Sequence, residues 1–248
     1  MKRTNFLAVI ALGALIIVGC GPQPKSDKEQ TTMEKETKSE MVEKVMTKED
    51  QAALTPDAVI QSLKEGNKRF MNNNLTAQNY PAQVKNSTNA QYPEAIILSC
   101  VDSRVPVENV FDRGIGDIFV ARVAGNFVNE DILGSMEFAC KVSGSKLIMV
   151  LGHESCGAVK SAVDDVKLGN ITPMLAKIRP AVESVDYQGE RTSKNAEFVH
   201  MVCETNVKQT IDQIRTDSPV LKEMEDNGEI KIVGAIYDLH NGEVSMLN

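Results

Sequence analysis

No tryptophan occurs in the 248 residues, and aromatic side chains make up only 4% of them. Stacking platforms for nucleic-acid bases and the large anchors of protein recognition surfaces are therefore scarce. A basic stripe is missing as well: the formal net charge is -7 and the acidic and basic residues are interleaved, which argues against a phosphate backbone as partner. No apolar run is long enough to span a bilayer comfortably. What is present is 42% hydrophobic residues, enough for one sizeable α/β domain once an N-terminal extension is set aside. Small-molecule chemistry gains weight by elimination.

Lys2 and Arg3 precede an apolar run from Phe6 to Val18, the make-up of a secretory signal. The run ends in Ile17-Val18-Gly19-Cys20, which resembles the lipobox of bacterial lipoproteins, cut before the cysteine and lipidated on it. An ordinary signal peptide that contains a cysteine, or an uncleaved anchor, are the alternatives. Lys, Glu, Ser and Thr dominate from Gly21 to about Gln51, too polar to fold alone. The expected organisation is a signal peptide over 1-19, a lipidated Cys20 with a flexible charged tether over 20-54, and a catalytic domain over 55-248. Export to the cell envelope follows, with the membrane touched only through the lipid.

Thr55-Pro56-Asp57 has an N-cap, a first-turn proline and an early acid, so a helix is predicted, with Val59, Leu63 and Phe70 on one face. Asn-rich and Pro-containing loops follow up to Pro93. Short apolar runs predict buried strands at Ala95 to Ser99, Asp117 to Val123 and Lys146 to Leu151. Helical patterns fill the gaps: around Ile132 to Ala139, from Ala158 to Val166 and from Glu197 to Ile214. Asn241-Gly242 between Ile230 to Leu239 and Val244 to Leu247 signals a terminal hairpin. The predicted fold is α/β, a mostly parallel central sheet flanked by helices, with an antiparallel C-terminal edge strand.

Two of these strands carry metal-type side chains at their carboxyl ends, where open parallel sheets bind ligands. The first delivers Cys100 and Asp102; the third delivers His153 and Cys156, whose spacing of three lets both converge in a turn. Two thiolates and an imidazole suit a catalytic Zn(II) with a fourth position left for water. Spacing alone leaves a disulfide or buried free thiols equally open, since an exported chain meets an oxidising compartment.

Cys100-Val101-Asp102-Ser103-Arg104 followed by His153-Glu154-Ser155-Cys156-Gly157 resembles the two signature motifs of β-class carbonic anhydrases. The resemblance runs on through Asp117 to Arg122, Gly125-Asn126 and the Gly-Ala-Val after Cys156, and more weakly from about residue 55 to the C-terminus. It implies a lyase that hydrates carbon dioxide reversibly to bicarbonate and a proton by a zinc-bound hydroxide. Cys100, His153 and Cys156 would bind one Zn(II) per subunit. Asp102, ion-paired to Arg104, would orient the nucleophile. Gln91 matches a substrate-binding glutamine of one branch, and Phe119, Ala124 and Phe138 fall at the apolar wall of the CO2 pocket. A homodimer or larger assembly is implied too.

Two departures qualify the match. Phe138 stands where some members have tyrosine, so a contribution of that hydroxyl is missing. Ile97 stands where members with a regulatory bicarbonate site have tryptophan, which implies an open zinc site with water as fourth ligand. Cys140 and Cys203 lie in apolar helical contexts and are expected to be inert thiols, while His200 and His240 are expected at surface or packing positions, with proton carriage as the other reading. Two alternatives stand beside CO2 hydration: hydrolysis of carbonyl sulfide or carbon disulfide on the same site, and a non-catalytic zinc-binding envelope lipoprotein.

Overall fold

A computed structural model describes residues 41–247. The expected signal peptide, Cys20 and the first part of the tether lie outside the described residues. Five strands form one sheet: β1 (Ala95–Ser99), β2 (Ile118–Arg122), β3 (Leu147–His153), β4 (Lys231–Tyr237) and β5 (Val244–Met246). Their order is β2-β1-β3-β4-β5. The first four run parallel and β5 pairs antiparallel with β4. This is the predicted architecture, including the terminal hairpin.

Alternation along β1 and β3 divides the core between the two sheet faces. Ala95, Ile97, Leu147, Met149 and Leu151 pack with Val59 and Leu63 of the helix Pro56–Met71. Ile96, Leu98, Ile148 and Val150 pack with Phe198, Val202 and Val207 of the long helix Ala196–Asp217. Gly152 and Gly234 let that helix approach closely, because a Cβ on either would stand 2.7 Å from a Val207 methyl. Cys100 continues the Ile96 and Leu98 alternation and joins the same cluster. Beneath the amino end of β1, Glu94 and Arg113 form a buried ion pair at 2.6 Å.

The structure differs from the sequence reading at three places. The folded unit begins ahead of the expected Thr55 boundary. Val42 bridges to Gln78, Thr47 and Asp50 form a reciprocal cap on the helix Lys48–Ala52, and the buried Gln51 amide donates to Pro93 O and Ser143 O, both at 2.8 Å. Directed hydrogen bonds hold this segment where apolar periodicity is absent. The region read as loops contains a helix, Tyr80–Asn86, capped by Asn79. Finally, β3 extends past Gly152 through His153, which pairs in register with Tyr237.

Candidate metal centre

Cys100 follows the last residue of β1, His153 ends β3, and Cys156 lies three residues on, immediately before the helix Gly157–Val163. The turn between them is made by Ser155 in the left-handed region at φ 51°, an uncommon conformation for a non-glycine residue that folds Cys156 back toward His153. One donor atom from each of Cys100, His153 and Cys156 lies within 4.8 Å of the other two, and all three residues are buried. The two sulfurs are 3.9 Å apart. A disulfide needs about 2.05 Å, whereas two thiolates on one tetrahedral Zn(II), each at about 2.3 Å, stand about 3.8 Å apart. The spacing fits a metal, and the disulfide alternative is not formed.

The imidazole is equally suited. His153 Nδ1 lies 2.8 Å from Glu154 O and so carries the ring proton, leaving Nε2 as a lone-pair donor. Nε2 is buried and has no hydrogen-bond partner. An orphaned buried nitrogen aimed between two thiols is the arrangement a metal ion satisfies.

The thiols are electrostatically unequal. A hydrogen bond from Cys156, opposed by burial and assisted by the Gly125 N–H at 3.3 Å, holds Cys100 well below the ordinary thiol range. The hydrogen bond with Cys100, burial and the neighbouring thiolate push Cys156 up. Without a cation the site carries one stabilised thiolate and resists a second. A divalent ion removes that conflict, because both sulfurs can then be ionised.

Asp102 lies at the rim, its Oδ2 3.8 Å from His153 Nε2. Arg104 binds both carboxylate oxygens, Nε to Oδ1 at 2.9 Å and Nη2 to Oδ2 at 2.7 Å, and its own N–H adds a third bond at 3.0 Å. These bonds hold the Asp102 carboxyl well below the usual carboxylate range despite partial burial. The bidentate pair keeps the carboxylate turned to its arginine.

Of the expected substrate-binding residues, Ala124 adjoins the centre, one residue before the Gly125 N–H that meets Cys100. Phe119 and Phe138 meet edge to face at 6.2 Å and line an open cleft of about 740 Å³ beside β2, together with Ile132, Glu130 and Asp131. None of the three metal-type residues lines that cleft. Gln91 is exposed and precedes the amino end of β1, with the strand standing between it and Cys100, so one chain does not bring them together. Cys140 and Cys203 are free buried thiols pushed up to about 12 by burial, which makes them inert.

Three supporting residues were not assigned roles from the sequence. Arg122 donates from Nε to Cys100 O at 2.8 Å and from Nη2 to Asp102 O at 2.6 Å, clamping the loop that carries both. Gly125 sends its N–H to Cys100, and the buried Asn206 amide donates to Gly125 O at 2.8 Å. A charged residue ending a strand and a lone asparagine on the apolar face of a long helix were the available signals. Neither says which backbone atom it serves.

A family model described as carbonic anhydrase matches residues 95–244. The carbonic anhydrase of Mycolicibacterium smegmatis is 35% identical over 197 residues, covering 77% of this chain and 93% of that protein. Carbonic anhydrase 2 of Mycobacterium tuberculosis H37Rv is 35% identical over 196 residues, covering 75% and 90%. Among solved structures, a β-carbonic anhydrase of Aspergillus fumigatus superposes with a TM-score of 0.59 at 25% identity, over 77% of this chain and 89% of that one. A tetrameric β-carbonic anhydrase from Sordaria macrospora gives 0.59 at 21% identity, over 77% and 95%.

Proposed function

Since this chain belongs to the carbonic anhydrase family and has the β-class fold, we propose that it hydrates carbon dioxide reversibly to bicarbonate and a proton at a zinc centre held by Cys100, His153 and Cys156. The observation that carries this reading is the unpartnered, buried His153 Nε2 converging with two thiols beside a carboxylate whose two oxygens are occupied by Arg104. When bound, zinc supplies the Lewis acidity that makes water a nucleophile at neutral pH.

The chain's own residues supply the rest. Asp102 faces the position next to His153 Nε2 and, being ionised, accepts a hydrogen bond from the attacking oxygen without taking its proton, which turns a lone pair toward the carbon of CO2. Arg104 keeps Asp102 in that role by engaging both oxygens, so the carboxylate does not swing onto the metal position. The Gly125 N–H and the Arg122 clamp fix Cys100 and the loop behind it. Ala124 contributes apolar surface beside the centre, and Phe119 and Phe138 extend it along β2.

Stopped-flow measurement of CO2 hydration at defined zinc occupancy tests the proposal. Activity should rise in proportion to zinc and vanish on chelation; a fully loaded protein without activity would sink it.

Two further features belong to the same reading. We place the enzyme outside the cytoplasm on a lipid at Cys20, on the strength of the Lys2 to Cys20 sequence; Cys20→Ser should release it from the membrane fraction. We also assign it to a homodimer or larger assembly, supported by the half-exposed Phe138 and the partly exposed β2 edge. Gln91 can reach substrate only from a second copy, and light scattering on the purified chain checks the assembly.

A further inference from the structure

Beside the zinc ligands lies a second cluster of metal-type side chains that the hydration reaction does not use. Glu154 is fixed at the end of β3 by a hydrogen bond from its N–H to Tyr237 O at 3.1 Å, which sets its side chain against the turn after β4. In that turn His240 Nδ1 lies 2.9 Å from Asp238 Oδ1 and 3.4 Å from Glu154 Oε2. From the long helix, His200 Nδ1 lies 3.6 Å from Glu154 Oε1, and its Nε2 lies 3.3 Å from Glu204 Oε1. Three carboxylates thus gather with only imidazoles against them. Among the described residues, no lysine or arginine forms an ion pair with any of the three.

We propose that Glu154, Asp238 and His240 form a second divalent transition-metal site, separate from the thiolate centre and weaker than it. One donor atom from each lies within 4.8 Å of the other two. Donors held by one ion at about 2.0–2.2 Å stand about 3–3.5 Å apart; the two His240 distances, 2.9 and 3.4 Å, lie close to that spacing. An imidazole with two carboxylates and no thiolate suits a borderline ion such as Zn(II) or Co(II), with water completing the shell.

The turn also prepares the site. The His240 N–H donates to Asp238 Oδ1 at 2.6 Å, the Gly242 N–H to Asp238 O at 2.9 Å, and the Asp238 N–H to Glu243 O at 2.8 Å. His200 sits against the other Glu154 oxygen, where it orients that carboxylate as an outer partner does. The His240 side chain is 81% exposed, so solvent reaches the site directly and affinity falls well below that of the buried triad. A cation there takes the place of the proton that Asp238 and Glu154 otherwise favour on His240. It would sit one residue from His153, whose ring proton Glu154 O receives.

Titration of the metal-free full-length chain with Co(II) distinguishes the two centres, because thiolate ligands give an intense near-ultraviolet charge-transfer band and nitrogen and oxygen ligands give only weak visible absorption. The first equivalent should raise the thiolate band. A second should add visible absorption without increasing it. His240→Ala should weaken the second equivalent by about 10-fold or more and leave the first intact, and Asp238→Asn should act in the same direction. Saturation at one equivalent in the wild type overturns the proposal. So does a second equivalent that brings further thiolate absorption, or one that both variants leave unchanged.

Discussion

Replacing Gly125 by alanine puts a methyl group where the fold has no room for one. Gly125 has φ +84°, and an added Cβ would stand 2.3 Å from Ile178 Cδ1 and 3.4 Å from Ala158 Cβ. The left-handed backbone costs an L-residue about 1–2 kcal/mol, and overpacking a filled core adds about 1–3 kcal/mol. Gly125→Ala should therefore lose about 2–5 kcal/mol of stability. The same exchange at Gly134, inside the helix Glu130–Glu137, meets nothing within 4 Å and should gain up to about 1 kcal/mol. The functional consequence runs through the Gly125 N–H, which reaches Cys100 Sγ at 3.3 Å. A hydrogen bond to a charged group is worth about 1.5–3 kcal/mol, or about 10- to 140-fold in zinc retention if it is lost entirely. Urea unfolding of the metal-free proteins gives the first quantity, and the rate of zinc loss to an excess of chromogenic chelator gives the second. Gly125→Ala unfolding within about 0.5 kcal/mol of wild type, or holding zinc as long as wild type does, would refute the reasoning.

The same chain of contacts predicts that Asn206→Ala, which strands Gly125 O in the core, costs about 1–3 kcal/mol and speeds zinc loss; unchanged release in a folded variant would limit Asn206 to packing. Asp102→Asn keeps the shape of the dyad but not its charge, so zinc content should hold while CO2 hydration falls about 10- to 100-fold; full activity at full zinc would remove Asp102 from the mechanism. Arg113→Met leaves Glu94 charged and alone in the core, at a cost of about 3–5 kcal/mol at neutral pH. Burial already raises the Glu94 carboxyl above its ordinary range, with Arg113 opposing the shift. Stability tied to a raised pKa is complete below the unfolded-state value and is lost as pH rises through the folded one. The deficit of Arg113→Met should therefore shrink on acidification, and urea curves at neutral pH and about pH 5 check this; a constant gap would contradict it.

The strands, the mostly parallel order and the terminal hairpin were legible in the sequence because each is written locally, as a buried run of about five residues or an Asn-Gly turn. The candidate metal ligands were legible for a related reason. Cys100 to Arg104 and His153 to Cys156 are short segments at strand ends, so spacing and resemblance expose them before their neighbours are known. What spacing left open between disulfide and metal, the 3.9 Å separation of the sulfurs and the unpartnered His153 Nε2 decided. The short helix Tyr80–Asn86 had its signals, Asn79 as cap and Pro81 in the first turn, but seven residues show too little periodicity to stand out.

Other features depend on contacts between distant parts of the chain. Asn206 serves Gly125 from 81 residues away, and Gln51 ties Pro93 to Ser143 across intervals of 42 and 92. No local pattern encodes such partners, because a single polar side chain looks the same whether it meets water or a buried carbonyl. The cluster of Glu154, Asp238 and His240 is of this kind: read singly they are a motif glutamate, a turn acid and a histidine expected at the surface, and they meet because β3 and β4 are neighbours. The sequence by itself determined the sheet and the candidate metal ligands Cys100, His153 and Cys156. The tertiary structure decided how those residues are held, through Arg122, Gly125 and Asn206, and which carboxylates gather around His240, since each is a matter of distance between segments that only packing brings together.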